Sequence, residues 1–259
     1  MKLTGICHFY NEEYLLPYWL EHHINVFDEL IMIDYHSTDR SRQIIRAADP
    51  KDIVVTSKNT MFSAKDCDAE VLEYEKTVDG YKIALNVTEF LVGDVKKLLQ
   101  TNLDQYGIPV YPMIDTLETE FTELTPFHLV RQRFHGIDFQ KSQELFNIRK
   151  ARSLHRIDVQ YPTGRHMMGY NTMDCVICWY GYSPFNESTI KRKLQIQNKI
   201  PDDDKKNLFG REHIIDRNGL IGNLRHYQHI SRLDLKQFFM RVTFNKATRQ
   251  QGKIENDWI

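Results

Sequence analysis

Three short polar sets stand at the ends of apolar runs in this chain: His8 to Glu12 after Leu3–Phe9, Asp34 to Asp39 after Leu30–Ile33, and Asn86 to Glu89 at the end of the run that begins at Tyr81. They offer carboxylates, amides and hydroxyls that accept or donate hydrogen bonds, and the first adds the aromatic rings of Phe9 and Tyr10. Asn, Asp, Ser and Thr in such places also cap helices and make turns, and for any one set alone that plainer reading is the stronger. Their recurrence after successive runs favours a ligand crevice, because an open parallel sheet binds ligands beyond the carboxyl ends of its strands.

Other residue types invite chemistry less strongly. Lys191, Arg192 and Lys193 put three cations over about one helical turn, either a solvated face or a grip on an anion that Arg can hold by two oxygens. His213 and His166 could ligate a metal or contact a diphosphate, although a lone imidazole more often satisfies a local hydrogen bond. Asp66-Cys67-Asp68 spells D-x-D, an acid pair that could hold a metal, but it falls at the start of a predicted helix, where acids ordinarily complement the dipole. Cys175 and Cys178 lie in the apolar run MDCVICWYGY, read as a buried strand. Residues three apart on a strand face opposite sides, and no second Cys/His pair stands at zinc-finger spacing. With Cys7 and Cys67 they are expected to be reduced thiols.

The elements that must position these residues follow from periodicity. Leu3–Phe9 reads as a strand, followed by a helix capped by Asn11, with Glu12 and Glu13 in its first turn and Leu15, Leu16, Trp19, Leu20, His23 and Phe27 at helical spacing. Leu30–Ile33 reads as the second strand, with Thr38 or Ser41 capping the next helix. Ile53–Val55 is the third strand, Ala64–Val78 a helix, Tyr81–Val87 the fourth strand, and Val95–Tyr106 a helix ended by Gly107. That alternation implies a parallel sheet. Beyond it, strand-like pieces at 108–111, 146–157 and 173–182 point to a mixed sheet, Asn186–Lys199 to a basic helix, and Leu233–Phe244 to a terminal amphipathic helix.

With 259 residues, 41% of them hydrophobic, the chain can build one sizeable core, and a net charge of −1 provides no general attraction for nucleic acid or anionic lipid. The opening MKLTGICHFYNEE reaches charged residues before any long apolar run, so neither a signal peptide nor a membrane anchor is expected, and the expected location is cytoplasmic.

The segment NEEYLLPYWLEHHINVFDELIMIDYHSTDRS resembles the opening of the family 2 glycosyltransferases of GT-A fold, in the subgroup that starts N-E-x-x-x-L-x-x-W-L-x-H-H. NVTEFLV is similar to the strand end where that family writes D-x-D-E-F-L, and YSPFNESTIKRKLQIQNKIP and FGREH look like its later half. The resemblance implies an α/β fold: a Rossmann-like, mostly parallel central sheet flanked by helices and mixed in its second half. It implies a single domain over residues 1–235, with a nucleotide-binding half (1–107) and an acceptor-side half (108–235), followed by a helix and tail at 236–259.

The implied activity is transfer of a sugar from a nucleoside-diphosphate sugar to a glycan or other hydroxyl acceptor, with inversion, in polysaccharide or glycan assembly. Phe9, Tyr10, Asn11 and Glu12 match the loop facing the nucleotide base, Asp34 the acid that contacts base or ribose, and Ser37, Thr38 and Asp39 the turn that shapes the same pocket. Asn86 and Thr88 stand where the family has two metal-binding acids, so Mg²⁺ or Mn²⁺ would be held weakly, with Glu89 and His213 as candidate ligands. Arg192 and Lys193 are then candidates for the donor diphosphate. Asp174 is the first candidate for the general base, with Glu187, Glu89 and Asp115 as rivals. A catalytically silent nucleotide- or sugar-binding module is the alternative.

Overall fold

A computed structural model describes residues 1–48, 53–114, 129–133, 135–137, 150–165, 167–168, 171–172, 174–207, 213–230 and 233–234. Its centre is a nine-stranded sheet. The strands are β1 (Leu3–Phe9), β2 (Glu29–Asp34), β3 (Ile53–Thr56), β4 (Tyr81–Asn86), β5 (Glu89–Gly93), β6 (Gln105–Pro112), β8 (Lys150–His155), β9 (Met167–Met168) and β10 (Cys175–Trp179), while β7 (His135–Gly136) pairs with β11 (Leu233–Asp234) in a separate ladder. The order across the main sheet is β3-β2-β1-β4-β8-β6-β10-β5, with β9 attached to β8. Strands β1 to β4 run parallel, β8 is antiparallel to both β4 and β6, and β10 runs parallel to β6 and antiparallel to β5. The fold is therefore mixed α/β and parallel in its first half, as expected.

The two sheet faces divide by residue parity. Leu3, Cys7 and Phe9 pack with Met32, Leu85 and the helices α1 (Leu16–His23) and α2 (Ser41–Ala48) through Leu16, Trp19, Leu20 and Ile45. Ile6, Ile31, Ile33 and Ala84 pack on the other face against Cys67 and Val71 of α3 (Ala64–Glu75). The sheet grows outward from β1 through β2 to β3 and then returns to place β4 on the other side of β1. The topological switch point thus lies between β1 and β4, where a doubly wound sheet opens its ligand crevice.

The Trp-x-x-His-His part of α1 has a structural purpose. β5 forms an edge of the sheet, with β10 on one side only, and an open edge leaves backbone groups without partners. Trp19 donates its indole N–H to the Glu89 carbonyl at 2.8 Å, His22 Nε2 donates to the Leu91 carbonyl at 2.8 Å, and Leu91 N–H donates to His23 Nε2 at 3.1 Å. His23 Nδ1 then carries the proton and donates to the Trp19 carbonyl at 2.9 Å. Side chains of a helix stand in for a neighbouring strand.

Several local expectations are corrected. Asn11 does not cap α1: it adopts φ 50° and accepts at its Oδ1 from Thr38 N–H, while α1 starts one turn later without a side-chain cap. The predicted helix Val95–Tyr106 stops after one turn, as α4 (Val95–Leu99), and Gly107 lies inside β6. β5 (Glu89–Gly93) occupies the stretch between the fourth strand and the next helix to which the sequence pattern assigns no element. Leu233–Asp234 form a two-residue strand, not a helix, and 235–244 lie outside the described residues. After the short α5 (Leu129–Gln132), the helix predicted from Asn186 is present as α6 (Glu187–Leu194), capped by Asn186 Oδ1 accepting from Thr189 N–H, continued by a 3₁₀ turn over Gln195–Lys199 and followed by α7 (Asp202–Lys206).

Candidate functional site

At the switch point the register places His8 opposite Asn86, and Phe9 opposite Asp34 on the other side. Between His8 and Asn86 sits the guanidinium of Arg165. Its Nη2 donates to His8 Nδ1 at 3.1 Å and to Asn86 Oδ1 at 3.2 Å, and its Nη1 donates to Asp68 Oδ1 at 2.6 Å. Arg165 is only 4% exposed, and its Nε is buried with no hydrogen-bond partner. His8, accepting at Nδ1, is kept neutral: burial pulls its pKa well below the usual imidazole value, and the charges of Arg165 and Arg152 lower it further.

The chain delivers Arg165 along α3. β8 ends on the amino side of the sheet, and the following segment returns beside the helix face formed by Asp68, Leu72 and Glu75, three positions at helical spacing. Tyr161 Oη bonds both His155 Nε2 at 2.7 Å and Glu75 Oε1 at 3.0 Å. At the far end Gly164 N–H donates to Asp68 Oδ2 at 2.6 Å, and Gly164 and Arg165 both take positive φ, 89° and 54°. Such backbone is easy for Gly and costly for Arg, so the anchoring on Asp68 must hold it. Asp68 is therefore an ion-pair partner of Arg165, not a helix-dipole ornament or a metal ligand.

Arg152 locks the same turn from the sheet. Its Nη1 donates to the carbonyls of Gly164 and Arg165 at 2.6 and 3.1 Å, while Nε and Nη2 take Glu89 Oε1 at 3.0 and 2.8 Å. Glu89 Oε2 accepts from Asn86 N–H at 2.8 Å, and both side chains of the ion pair are 2% exposed. This corrects two expectations for Glu89, as metal ligand and as base, since its carboxylate is committed to a guanidinium and a backbone N–H. Asn86 and Thr88 provide no carboxylate, and no group of three or more His, Cys, Asp or Glu that could hold a metal occurs among the described residues. His213, half-buried just before α8 (Arg217–Ile230), belongs to no such group. A hard divalent cation does not fit the described donor set.

The first two polar sets do meet. Asn11 N–H donates to Ser37 Oγ at 2.9 Å, Glu12 N–H to Ser41 Oγ at 2.8 Å, and Glu13 N–H to Asp39 Oδ2 at 2.9 Å. Asp34 is fully buried, accepting from Ser37 N–H at 2.8 Å and from Arg42 Nη1 at 3.0 Å. Glu70 of α3 ties the neighbouring strand ends together, accepting from Tyr35 Oη at 2.9 Å, Ser57 Oγ at 2.6 Å and Lys58 N–H at 3.0 Å.

α6 and the 3₁₀ turn lie against this floor. Arg192 Nη1 donates to Glu12 Oε1 at 3.2 Å and its Nη2 to the Gly181 carbonyl at 3.2 Å. Burial pushes the Glu12 pKa up while Arg192 opposes it. The Lys193 ammonium sits 4.1 Å from the Tyr182 ring centroid and 5.7 Å from that of Trp179, a cation–π arrangement. Gln195 Nε2 donates to the Asn11 carbonyl at 3.0 Å. Lys199 reaches furthest into the strand ends: its ammonium stands 4.2 Å from the Tyr10 ring centroid and donates to the Tyr35 carbonyl at 3.1 Å. Neither contact neutralises its charge.

Other expectations are displaced by position. Phe9 is 2% exposed in the core beneath α1, so it does not face a base. Asp174 precedes the first residue of β10, a strand parallel to β6, and its backbone lies by Gly93 at the far end of β5. It is thus on the amino edge of the sheet, across the molecule from Asn86. Glu187 is exposed in the first turn of α6 and pairs with Arg217. Asp115 lies outside the described residues, directly after Ile114, which is buried beyond the carboxyl end of β6; His166 also lies outside them. The buried thiols of Cys175 and Cys67 are each raised to about 12 by desolvation, and Cys178 is raised too, which suits the reduced, unreactive reading. Sequence reasoning missed Arg152, Arg165 and Lys199. The signals were present for one: Gly164 before Arg165 marks a turn, and a buried Arg needs an acid such as Asp68.

The chain matches no protein family model and no curated protein. Among solved structures it is similar to the 1–349 segment of S. aureus TarS, with 14% identity and a TM-score of 0.40 over 83% of this chain and 71% of that one. Its likeness to the same segment in complex with UDP-GlcNAc has 14% identity and a TM-score of 0.35, over 60% of this chain and 45% of that one. A third likeness is to glucosyl-3-phosphoglycerate synthase from Mycobacterium tuberculosis with Mn²⁺, UDP and glucosyl-3-phosphoglycerate, at 12% identity and TM-score 0.36, covering 60% and 57% of the two chains. The chain thus spans less than two thirds of both ligand-bound relatives. At these scores the likenesses carry no argument about chemistry, which rests on the strand-end residues themselves.

Proposed function

We propose that this chain is a GT-A glycosyltransferase that moves a sugar from a nucleoside-diphosphate sugar to a glycan or other hydroxyl acceptor with inversion. The observation that carries the reading is the convergence of Tyr10–Glu12, Ser37–Asp39 and Asn86 at the carboxyl ends of β1, β2 and β4, with the Arg165 guanidinium at the switch point between two of them. Family 2 resemblance in the same residues supports it. Tyr10 and the Ser37–Asp39 turn form the nucleoside side, and the switch point takes the diphosphate. The acceptor oxygen attacks the anomeric carbon as the bond to the diphosphate breaks and its electron pair leaves with the nucleoside diphosphate. A carboxylate takes the acceptor proton, and the oxocarbenium-like transition state needs no covalent nucleophile.

Of the four carboxylates considered for the base we assign the role to Asp115; the amino-edge position of Asp174 and the pairing of Glu187 with Arg217 and of Glu89 with Arg152 support that choice. No helix among the described residues is long and apolar enough to cross a membrane, and action in the cytoplasm on a soluble donor is part of the proposal. Titration calorimetry with UDP, GDP and ADP, in Mn²⁺ and in EDTA, tests it: one nucleoside diphosphate should bind in at least one condition, and no binding in either would sink the reading. The commitment of Glu89 to Arg152 favours one rival, a binding module without turnover. Release of nucleoside diphosphate from a bound donor when hydroxyl acceptors are added separates the two.

A further inference from the structure

We infer that this protein holds the diphosphate of its nucleotide with two side-chain cations, Arg165 and Lys199, in place of a divalent metal. The inference rests on the glycosyltransferase reading above and specifies the chemistry of that same site.

The two cations are arranged along one row. His8 and Tyr10 are alternate residues at the end of β1 and so point to the same sheet face. Arg165 bonds the first, and the Lys199 ammonium stands 4.2 Å from the ring of the second. Phe62 packs between them, its ring centroid 5.9 Å from that of His8 and 6.2 Å from that of Tyr10. The row lies over the switch point, where a diphosphate would be expected.

Each cation has capacity left for an anion. Asp68 balances the charge of Arg165, but two of its donors are poorly used: Nε–H is buried without a partner, and the Nη2 contact to Asn86 is to a neutral amide oxygen. A phosphoryl oxygen replacing that amide would turn a neutral acceptor into a charge-assisted one. Lys199 has a π face and a carbonyl as contacts, neither of which carries a compensating charge; burial lowers its pKa and the Asp34 carboxylate opposes that shift. His8 stays neutral and accepts from Arg165, so it orients the guanidinium without competing for the anion.

The same residues explain why a metal is not needed and would not bind well. The positions expected to carry acids are Asn86 and Thr88, and the nearby carboxylate, Glu89, is closed off by the Arg152 guanidinium at 2.8 Å. Arg152 itself is a positioning residue: its donors hold Glu89 and the backbone carbonyls of Gly164 and Arg165, thereby aiming Arg165.

The test compares binding of UDP, GDP, ADP and the matching free nucleosides to the full chain by calorimetry, in EDTA and in Mn²⁺. The best nucleoside diphosphate should bind in EDTA within about threefold of its affinity in Mn²⁺, and more tightly than its nucleoside. Lys199→Gln, a half-buried site whose change leaves no buried charge behind, should cost about tenfold or more for the diphosphate and little for the nucleoside. The double variant Arg165→Gln/Asp68→Asn, which removes both charges of the buried pair together, should cost about ten- to a hundred-fold in the same selective way. Circular dichroism confirms that each variant is folded, and Arg165→Lys, which keeps the ion pair but loses the fork, serves if the double variant is not. Binding that requires Mn²⁺ would overturn the inference and leave the glycosyltransferase reading standing. Binding in EDTA that none of the variants weakens would also overturn it. Absence of binding in both conditions would overturn both.

Discussion

Arg152→Met is expected to destabilise the protein by about 3–5 kcal/mol, because it leaves a buried carboxylate without its counter-charge. Glu89 and Arg152 are each 2% exposed and meet at 2.8 Å. The loss should reach beyond the pair itself. Arg152 also holds the Gly164 and Arg165 carbonyls, and Glu89 caps the β4–β5 turn through Asn86 N–H. For a chain of this size each kcal/mol lowers Tm by about 2–4 °C, so a fall of roughly 10 °C is expected in a thermal melt. Glu89→Leu should be comparably harmful, leaving the guanidinium uncompensated. Combining the two removes both charges, and the double variant should be less destabilised than the sum of the singles, as close neighbours in one network couple. A loss below about 1 kcal/mol for Arg152→Met, the range of solvent-exposed pairs, would contradict the buried geometry.

Asp115→Asn should lower kcat by about 10²–10⁴-fold while leaving nucleoside diphosphate affinity within about twofold, the signature of a lost general base. The assignment rests on chain geometry. Ile114 is buried beyond the carboxyl end of β6, its N–H donating to the His135 carbonyl at 2.9 Å, and it packs in a cluster with Tyr182, Phe185 and Ile190 of α6. Ile114, the last described residue before Asp115, thus lies at the edge where the donor is proposed to sit, whereas Asp174 belongs to the opposite edge. Asp174→Asn should accordingly leave turnover unchanged. Single-turnover assays with the bound donor distinguish the two, and equal loss in both variants would place the base elsewhere.

The elements that repeat a simple period were legible in the sequence, and those held by tertiary contacts were not. β1 to β4 are mostly apolar runs, so their positions, and the polar sets at their ends, follow from pattern alone. β5 lies in the stretch 88–94 to which the periodicity assigns no element: it opens on Glu89, a buried acid whose partner, the Arg152 side chain, stands sixty-three positions away. The segment after Leu99 carries apolar residues compatible with either period, and pairing with β8 decides for a strand. The Trp-x-x-His-His spelling read as a family mark, yet what it does physically is satisfy the open edge of β5. Side-chain direction was not legible: strand alternation turns Phe9 into the core beneath α1 and Tyr10 to the opposite sheet face, beside Phe62. Arg165 and Lys199 escaped notice because each reaches the site from a distant stretch of chain, and no local spacing records that meeting.

The central claim, a nucleotide held at the switch point, is tested most directly by hydrogen–deuterium exchange of the full chain with and without a saturating nucleoside diphosphate. Protection is predicted in peptides covering residues 8–13, 34–41, 161–165 and 195–199, with no change in those covering 93–95 and 174–176 on the amino edge. Protection confined to the amino edge, or absent from the strand ends of β1 and β2, would contradict the account.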